Sequence, residues 1–140
     1  MDSKYPKLPD QCNSYKVLNN PKRKSTYKSI WDENTCDKVG KGNTSPDWKG
    51  KNWYRFEEPS GTKMSEKPIP NHRCGFYVTG WVKGSHPETL GEMKDAEACF
   101  NYSGNDCYWS NSIKILNCGS YFLYELPDTP GCSLGYCSIE

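Results

Sequence analysis

Eight cysteines, Cys12, Cys36, Cys74, Cys99, Cys107, Cys118, Cys132 and Cys137, are the residues of this 140-residue chain best placed to do covalent or metal chemistry. Thiolates hold zinc when tight turns aim them in close pairs at one ion. The only close pair is Cys132 and Cys137, no Cys-x-x-Cys occurs, and His72 and His86 both lie far from that pair. The even count, spread over the whole chain, points instead to four disulfides and an oxidising, secretory compartment. No metal and no cofactor are expected.

The remaining polar residues form no catalytic constellation. There is no Gly-x-Ser-x-Gly turn, and His86 sits in the turn-like run Gly84-Ser85-His86-Pro87. Glu57 and Glu58 are adjacent on an expected strand, so their side chains point to opposite faces and cannot share a substrate. Lys22, Arg23 and Lys24 beside Lys28 read either as a heparin or phosphate patch or as an ordinary solvated loop after Pro21. Two sequons, Asn43-Thr44-Ser45 and Asn101-Tyr102-Ser103, are candidate glycosylation sites. Five Trp and ten Tyr are many for so polar a chain. Trp48, Trp81, Tyr102, Tyr108 and Trp109 are candidate binding residues, the alternative for each being a place in a small core packed on disulfides.

The elements that must position these residues have little apolar material to work with. The chain is 34% hydrophobic and its mean hydropathy is −0.91, yet it is too aromatic and too rich in cysteine for a disordered segment. Disulfides therefore substitute for core, since a bridge closing about 100 residues contributes on the order of 4–5 kcal/mol. No run of 18 apolar residues occurs, and the formal charge is +1, so neither membrane insertion nor nucleic-acid binding is expected. The charge is uneven: residues 1–70 carry 14 Lys+Arg against 9 Asp+Glu (+5), residues 71–140 carry 4 against 8 (−4).

The fold class expected is a small disulfide-rich, β-dominated α+β domain of antiparallel strands, one short helix and long loops. Residues 1–11, with Pro6 and Pro9, read as a flexible tail, and 12–138 as one domain. Met1 to Gln11 lacks a leader's apolar run, which suits a mature chain carrying an initiating Met. Strands are expected at Tyr15–Leu18, Trp53–Phe56 and 75–82, with Gly80 marking a bulge, and a long loop over 19–51. Period two in 112–117 and 119–126 predicts a hairpin, and the three-and-four spacing of Met93, Ala96 and Phe100 predicts the helix over 92–100.

An ordered series runs through the chain: Cys12-x-x-Tyr15-x-Val17-Leu18, Trp53-Tyr54-Arg55-Phe56, Met64, Pro70-x-x-Arg73-Cys74, Trp81-x-x-Gly84-x-His86-Pro87, Ala98-Cys99, Ser103-Gly104, Cys107-x-Trp109, Cys118-Gly119-x-Tyr121, and Cys132 with Tyr136-Cys137. Over about residues 12–138 it resembles the cysteine-rich domain of the family of uromodulin, the pancreatic secretory granule glycoprotein and their liver-type, zona-pellucida-module relatives. Ten-cysteine members carry an extra mutually bonded pair where this chain has Pro68 and Asp106, which makes this the eight-cysteine form. The resemblance implies the pairs Cys12–Cys118, Cys36–Cys132, Cys74–Cys137 and Cys99–Cys107, one set among the 105 that spacing alone leaves open.

The resemblance also implies an extracellular, non-enzymatic role. In the family the domain precedes a polymerising module and displays an N-glycan that captures bacterial fimbrial adhesins, but the display position holds Tyr124, Glu125 and Leu126 here, with no sequon. The chain is then either part of a longer protein or a free-standing relative. The leading expectation is a secreted module binding a protein or glycan partner directly, with Asn101 bare. The alternatives are a matrix or adhesive protein, whose oppositely charged halves would drive weak self-association, and a small extracellular enzyme or ligand carrier.

Overall fold

A computed structural model describes residues 7–30 and 35–140. Seven strands, β1 (Lys16–Leu18), β2 (Asn52–Phe56), β3 (Val78–Lys83), β4 (Met93–Tyr102), β5 (Asn105–Asn117), β6 (Phe122–Leu126) and β7 (Leu134–Tyr136), form one sheet in the order β1-β2-β6-β5-β4-β3-β7. The inner pairings are antiparallel, as expected. The edge strands β1 and β7 instead run parallel to β2 and β3. Each edge strand has three residues, too short to template unwanted pairing. Among the described residues no helix is long and apolar enough to cross a membrane. Of the tail expected over 1–11, residues 1–6 lie outside the described part, and Leu8 packs beside Cys12 and Cys118.

The helix expected over 92–100 is not formed; that stretch is β4, paired on both sides, with β3 and β5. Two periods were present in it. The helical stripe needed Met93 inside, and Met93 is 42% exposed, whereas the alternating residues Ala98 and Phe100 are fully buried. Ladders to two distant strands outweigh the helix propensity of an Ala- and Glu-rich segment. No bulge occurs at Gly80, which pairs in regular register with Phe100. Glycine is needed there because a Cβ would lie 2.8 Å from the Gly135 carbonyl oxygen and 2.8 Å from the Phe100 ring. The register shift falls in β4–β5, between Phe100 and Tyr102.

One face of the sheet carries the main core, including Tyr54, Phe56, Ile113, Ile115, Tyr124 and Tyr136, roofed by Trp48 and Met64 from long connections. The other face is apolar around Cys12–Cys118, Trp53 and Leu123, and again where Trp81 of β3 and Cys99 of β4 are buried side by side. Elsewhere it meets water with opposite charges on neighbouring strands: Lys83 opposite Glu97, and Lys114 between Asp95 and Glu125.

The expected loop over 19–51 is held down by a buried charge cluster. Arg23 is neither a surface anion site nor a solvated loop residue: it is buried against Asp37 and Asp47. Burial opposes the charges of Arg23 and Asp47. Mutual attraction outweighs it, holding the guanidinium above its ordinary pKa and the Asp47 carboxyl below the usual range. Trp31, in the same loop, lies outside the described residues.

Four disulfides, Cys12–Cys118, Cys36–Cys132, Cys74–Cys137 and Cys99–Cys107, join segments 106, 96, 63 and 8 residues apart. Cys36–Cys132 and Cys74–Cys137 flank β7, and Cys12–Cys118 anchors the chain entering β1. The short edge strands are thus fastened covalently where their few hydrogen bonds would hold them weakly.

Candidate functional site

The β4–β5 hairpin closes with the two-residue turn Ser103-Gly104, whose φ angles of +52° and +79° give the twist that matches right-handed strands. Between the pairs Phe100↔Trp109 and Tyr102↔Asn105, β5 has more residues than β4. The surplus bulges, and the Cys99–Cys107 disulfide ties it across the hairpin.

Rings gather at this tip. Tyr108 lies 4.4 Å from Trp109 and 5.4 Å from Tyr102, Tyr102 lies 5.5 Å from Trp109 and 6.1 Å from Tyr77, and Tyr77 lies 4.3 Å from His72. Tyr77, Tyr102 and Tyr108 are 41%, 37% and 51% exposed, although phenol rings bury readily where a fold needs them. Trp109 anchors the array by packing on the core. A shallow pocket of about 270 Å³ opens beside the rings, lined by Tyr77, Val78, Tyr102, Trp109 and residues 132–134.

Of the five binding candidates, the structure thus brings together Tyr102, Tyr108 and Trp109. Trp48 and Trp81 do not join them, being only 3% and 8% exposed. Trp48 stacks on Tyr54 at 4.7 Å and donates its indole N–H to Asp128, 2.7 Å away. Trp81 donates to the Asp106 carbonyl at 2.9 Å, fixing the base of the tip. Their buried N–H groups had to find partners, and both partners lie far away in sequence. Tyr77 was not anticipated. It lies just before β3 between the buried residues Phe76 and Val78, and no alternation marks it in the sequence, since Thr79 and Trp81 are buried as well.

Neither candidate sequon offers a freely projecting amide. Asn101 donates from Nδ2 to the Ile69 carbonyl at 2.9 Å and accepts from the Thr79 hydroxyl at 2.9 Å. Asn43 lies against the Cys36–Cys132 disulfide, and Ser45 of its sequon is buried with its hydroxyl donating to the Cys36 carbonyl. Among the described residues one trio, Glu97, Cys99 and Cys107, has the composition of a metal site, and both its sulfurs are spent in the disulfide.

Beside the array the sheet leaves main chain unpaired. In β3 the even residues face β7, as the Cys137 N–H to Gly80 carbonyl bond shows. Alternation then turns Cys99 and Glu97 of β4 toward β3, and Ala98 and Phe100 toward β5. On β5, Trp109 and Asn111 therefore bond back to β4, while Ser110 and Ser112 point to the other side. There β6 has already ended, at Leu126 and Pro127. No described residue bonds those outward groups of Ser110 or Ser112.

Comparison with known proteins agrees with this architecture. The chain is 36% identical over 133 residues to the pancreatic secretory granule membrane major glycoprotein GP2 of Rattus norvegicus, covering 92% of the chain and 23% of that protein. It is 35% identical to the Homo sapiens protein of that name over 93% of the chain and 22% of the relative. To uromodulin of Rattus norvegicus it is 32% identical, over 92% of the chain and 18% of the relative. The chain thus spans less than a quarter of these relatives' length. Four disulfides demand an oxidising compartment, and with these glycoprotein relatives they make this an extracellular domain. Residues 54–138, from β2 to past β7, match the uromodulin-like family of cysteine-rich domains, and the chain belongs to that family.

Proposed function

We propose that the domain is an extracellular, non-catalytic binding module that contacts its partner through the β4–β5 tip, with Tyr77, Tyr102, Tyr108 and Trp109 as the contact surface. The observation that carries this reading is the exposure of Tyr77, Tyr102 and Tyr108 at the disulfide-clamped tip, where the Tyr102 ring meets each of the other two. Large rings with few rotatable bonds gain contact area at small entropic cost.

Aromatic platforms serve saccharides and polypeptides alike. The unpaired edge at Ser110 and Ser112 favours a polypeptide, because an extended segment there would continue the line of β6 and satisfy those groups. Screening the intact domain against a library of extended peptides and a panel of immobilised glycans tests both readings. Peptide ligands that lose at least about tenfold in affinity with Tyr102→Ala/Tyr108→Ala, at unchanged melting temperature, are expected. Ligands indifferent to that pair would refute the assignment of the surface, and glycan-only binding would refute the polypeptide reading.

A further inference from the structure

At the other end of the sheet, His86 is held at both ring nitrogens. Nδ1 lies 2.6 Å from Glu66 Oε2, Nε2 lies 2.7 Å from the Tyr124 hydroxyl, and the His86 backbone N–H donates to the same Glu66 oxygen at 2.8 Å. The Tyr124 oxygen already accepts the Met64 backbone N–H at 3.0 Å. Tyr124 is fully buried, and the His86 side chain is 9% exposed.

Counting protons fixes the state of this relay. Tyr124 has one O–H, and His86 is its only acceptor among the described residues, so the phenol donates to Nε2. The ring is then neutral, with its proton on Nδ1 facing the Glu66 carboxylate. Adding a proton to Nε2 turns that acceptor into a donor and leaves the buried phenol proton with nowhere to go, a costly orphan. The charged groups around the ring lean the same way. Glu66 favours the imidazolium, whereas Lys63 from the same connection and Lys94 from β4 oppose it, and Phe122 and Tyr124 from β6 bring rings without charge. Burial, the largest effect, adds to the opposition, and the His86 pKa is lowered from its ordinary value.

The relay ties three segments remote in sequence: the β2–β3 connection at Met64 and Glu66, the β3–β4 connection at His86, and β6. A groove of about 610 Å³ lies next to it, lined by Arg55, Glu57, Thr62, Lys63, Tyr121 and Phe122: Thr62 and Lys63 belong to the connection that the relay holds, and the Phe122 ring lies 4.6 Å from that of His86. We propose that Glu66, His86 and Tyr124 form an acid-sensitive latch on this groove. With His86 neutral the connection at Thr62–Glu66 is held against β6; protonation of Nε2 breaks the bond to Tyr124 and releases that connection, opening the groove. This stands independently of the binding surface at the opposite tip.

The sign follows from linkage. The closed state resists a proton that the released state takes up near the ordinary His value of about 6.5, so the latch is tight above that pH and loosens as pH falls below it. The test is NMR on the intact domain from pH 7.5 to 5.5, a window above the titration of Glu66, whose carboxyl the His86 hydrogen bonds hold below its usual range. At pH 7.5 the His86 ring should show the tautomer with Nδ1 protonated and Nε2 bare. The exchange protection of the Met64 amide should fall about tenfold across the window, while that of core amides such as Ile115 stays level. In His86→Gln, whose amide oxygen can still accept from Tyr124, the acid-induced loss should vanish. A ring protonated on Nε2 at pH 7.5, Met64 protection that is flat with pH, or a His86→Gln variant that still loses it would each overturn the latch.

Discussion

Arg23 holds Asp37 in a two-pronged grip, with Nη1 and Nη2 donating to the two carboxylate oxygens at 2.9 and 2.8 Å. The other donors are spent as well: Nε and Nη2 reach Asp47 at 2.9 and 2.6 Å, and Nη1 reaches the Tyr136 carbonyl at 2.9 Å. Asp37 accepts in turn from the Tyr136 backbone N–H at 2.8 Å. A guanidinium fork is the one side chain that can satisfy this geometry, and through it the 19–51 loop is joined to edge strand β7.

Removing one member leaves the others charged and buried. Arg23→Ala or Asp37→Asn should therefore cost about 3–5 kcal/mol, measured by chemical denaturation. Arg23→Lys should recover only part of that loss, since an ammonium cannot span both carboxylates. A near-native denaturation midpoint for Arg23→Ala would show that the cluster carries little of the fold.

The disulfides should not be equivalent. In the chain-entropy account the bridge spanning 106 residues, Cys12–Cys118, contributes roughly 4–5 kcal/mol and the one spanning 8, Cys99–Cys107, roughly half of that. The Cys99→Ala/Cys107→Ala variant should stay folded but loosen the aromatic tip, read as faster amide exchange at 102–109 with unchanged exchange in β6. Equal losses of stability from the two deletions would contradict this ordering.

How much of this was legible beforehand depends on how local the determinant was. The strand at Trp53–Phe56 showed in a compact β-favouring run, and the 112–126 hairpin in period two, because burial on one face imposes that period directly. The 92–100 segment misled because its apolar residues satisfy both periods, and only the flanking strands β3 and β5 decide between them. Tyr102, Tyr108 and Trp109 were legible as binding candidates because they are neighbours in sequence. The burial of Trp48 and Trp81 was not, because Asp128 and Asp106 had to be placed beside them by the fold. Arg23 and His86 were hidden for the same reason: nothing adjacent to a basic triplet or a Gly-Ser-His-Pro turn reports carboxylates or a phenol delivered from elsewhere.

Gly80 and Gly135 meet where β3 runs beside β7, and neither has room for a methyl group. At Gly80 the obstacles are the Gly135 carbonyl and the Phe100 ring, and at Gly135 the obstacle is the Phe76 ring. Phe100 and Phe76 are both buried and cannot swing away. Gly80→Ala and Gly135→Ala should each destabilise by about 1–3 kcal/mol through overpacking. By contrast Gly42→Ala, with nothing within 4 Å of the added carbon, should lie within about 0.5 kcal/mol of the native chain. Melting curves of the three variants give the comparison, and a tolerated Gly135→Ala would mean that β7 lies farther from Phe76 than described.

Asn101 is expected to carry no glycan in the secreted protein, because its side chain is part of the structure beneath the aromatic tip. Its amide spans the Ile69 carbonyl and the Thr79 hydroxyl, and its own carbonyl accepts from the Asn71 side chain at 2.8 Å. A sugar on Nδ2 would have to project from between β3 and the connection that precedes it, displacing one of these partners. Intact-mass analysis of protein from a glycosylating host, before and after glycosidase, should show no loss of mass assignable to Asn101. Asn101→Gln should cost about 0.5–1.5 kcal/mol, the net worth of a lost hydrogen bond, since the Thr79 hydroxyl and the Ile69 carbonyl keep each other as partners at 2.6 Å. Full occupancy of Asn101 with native stability would remove the structural role argued for it and make the tip a site of glycan display.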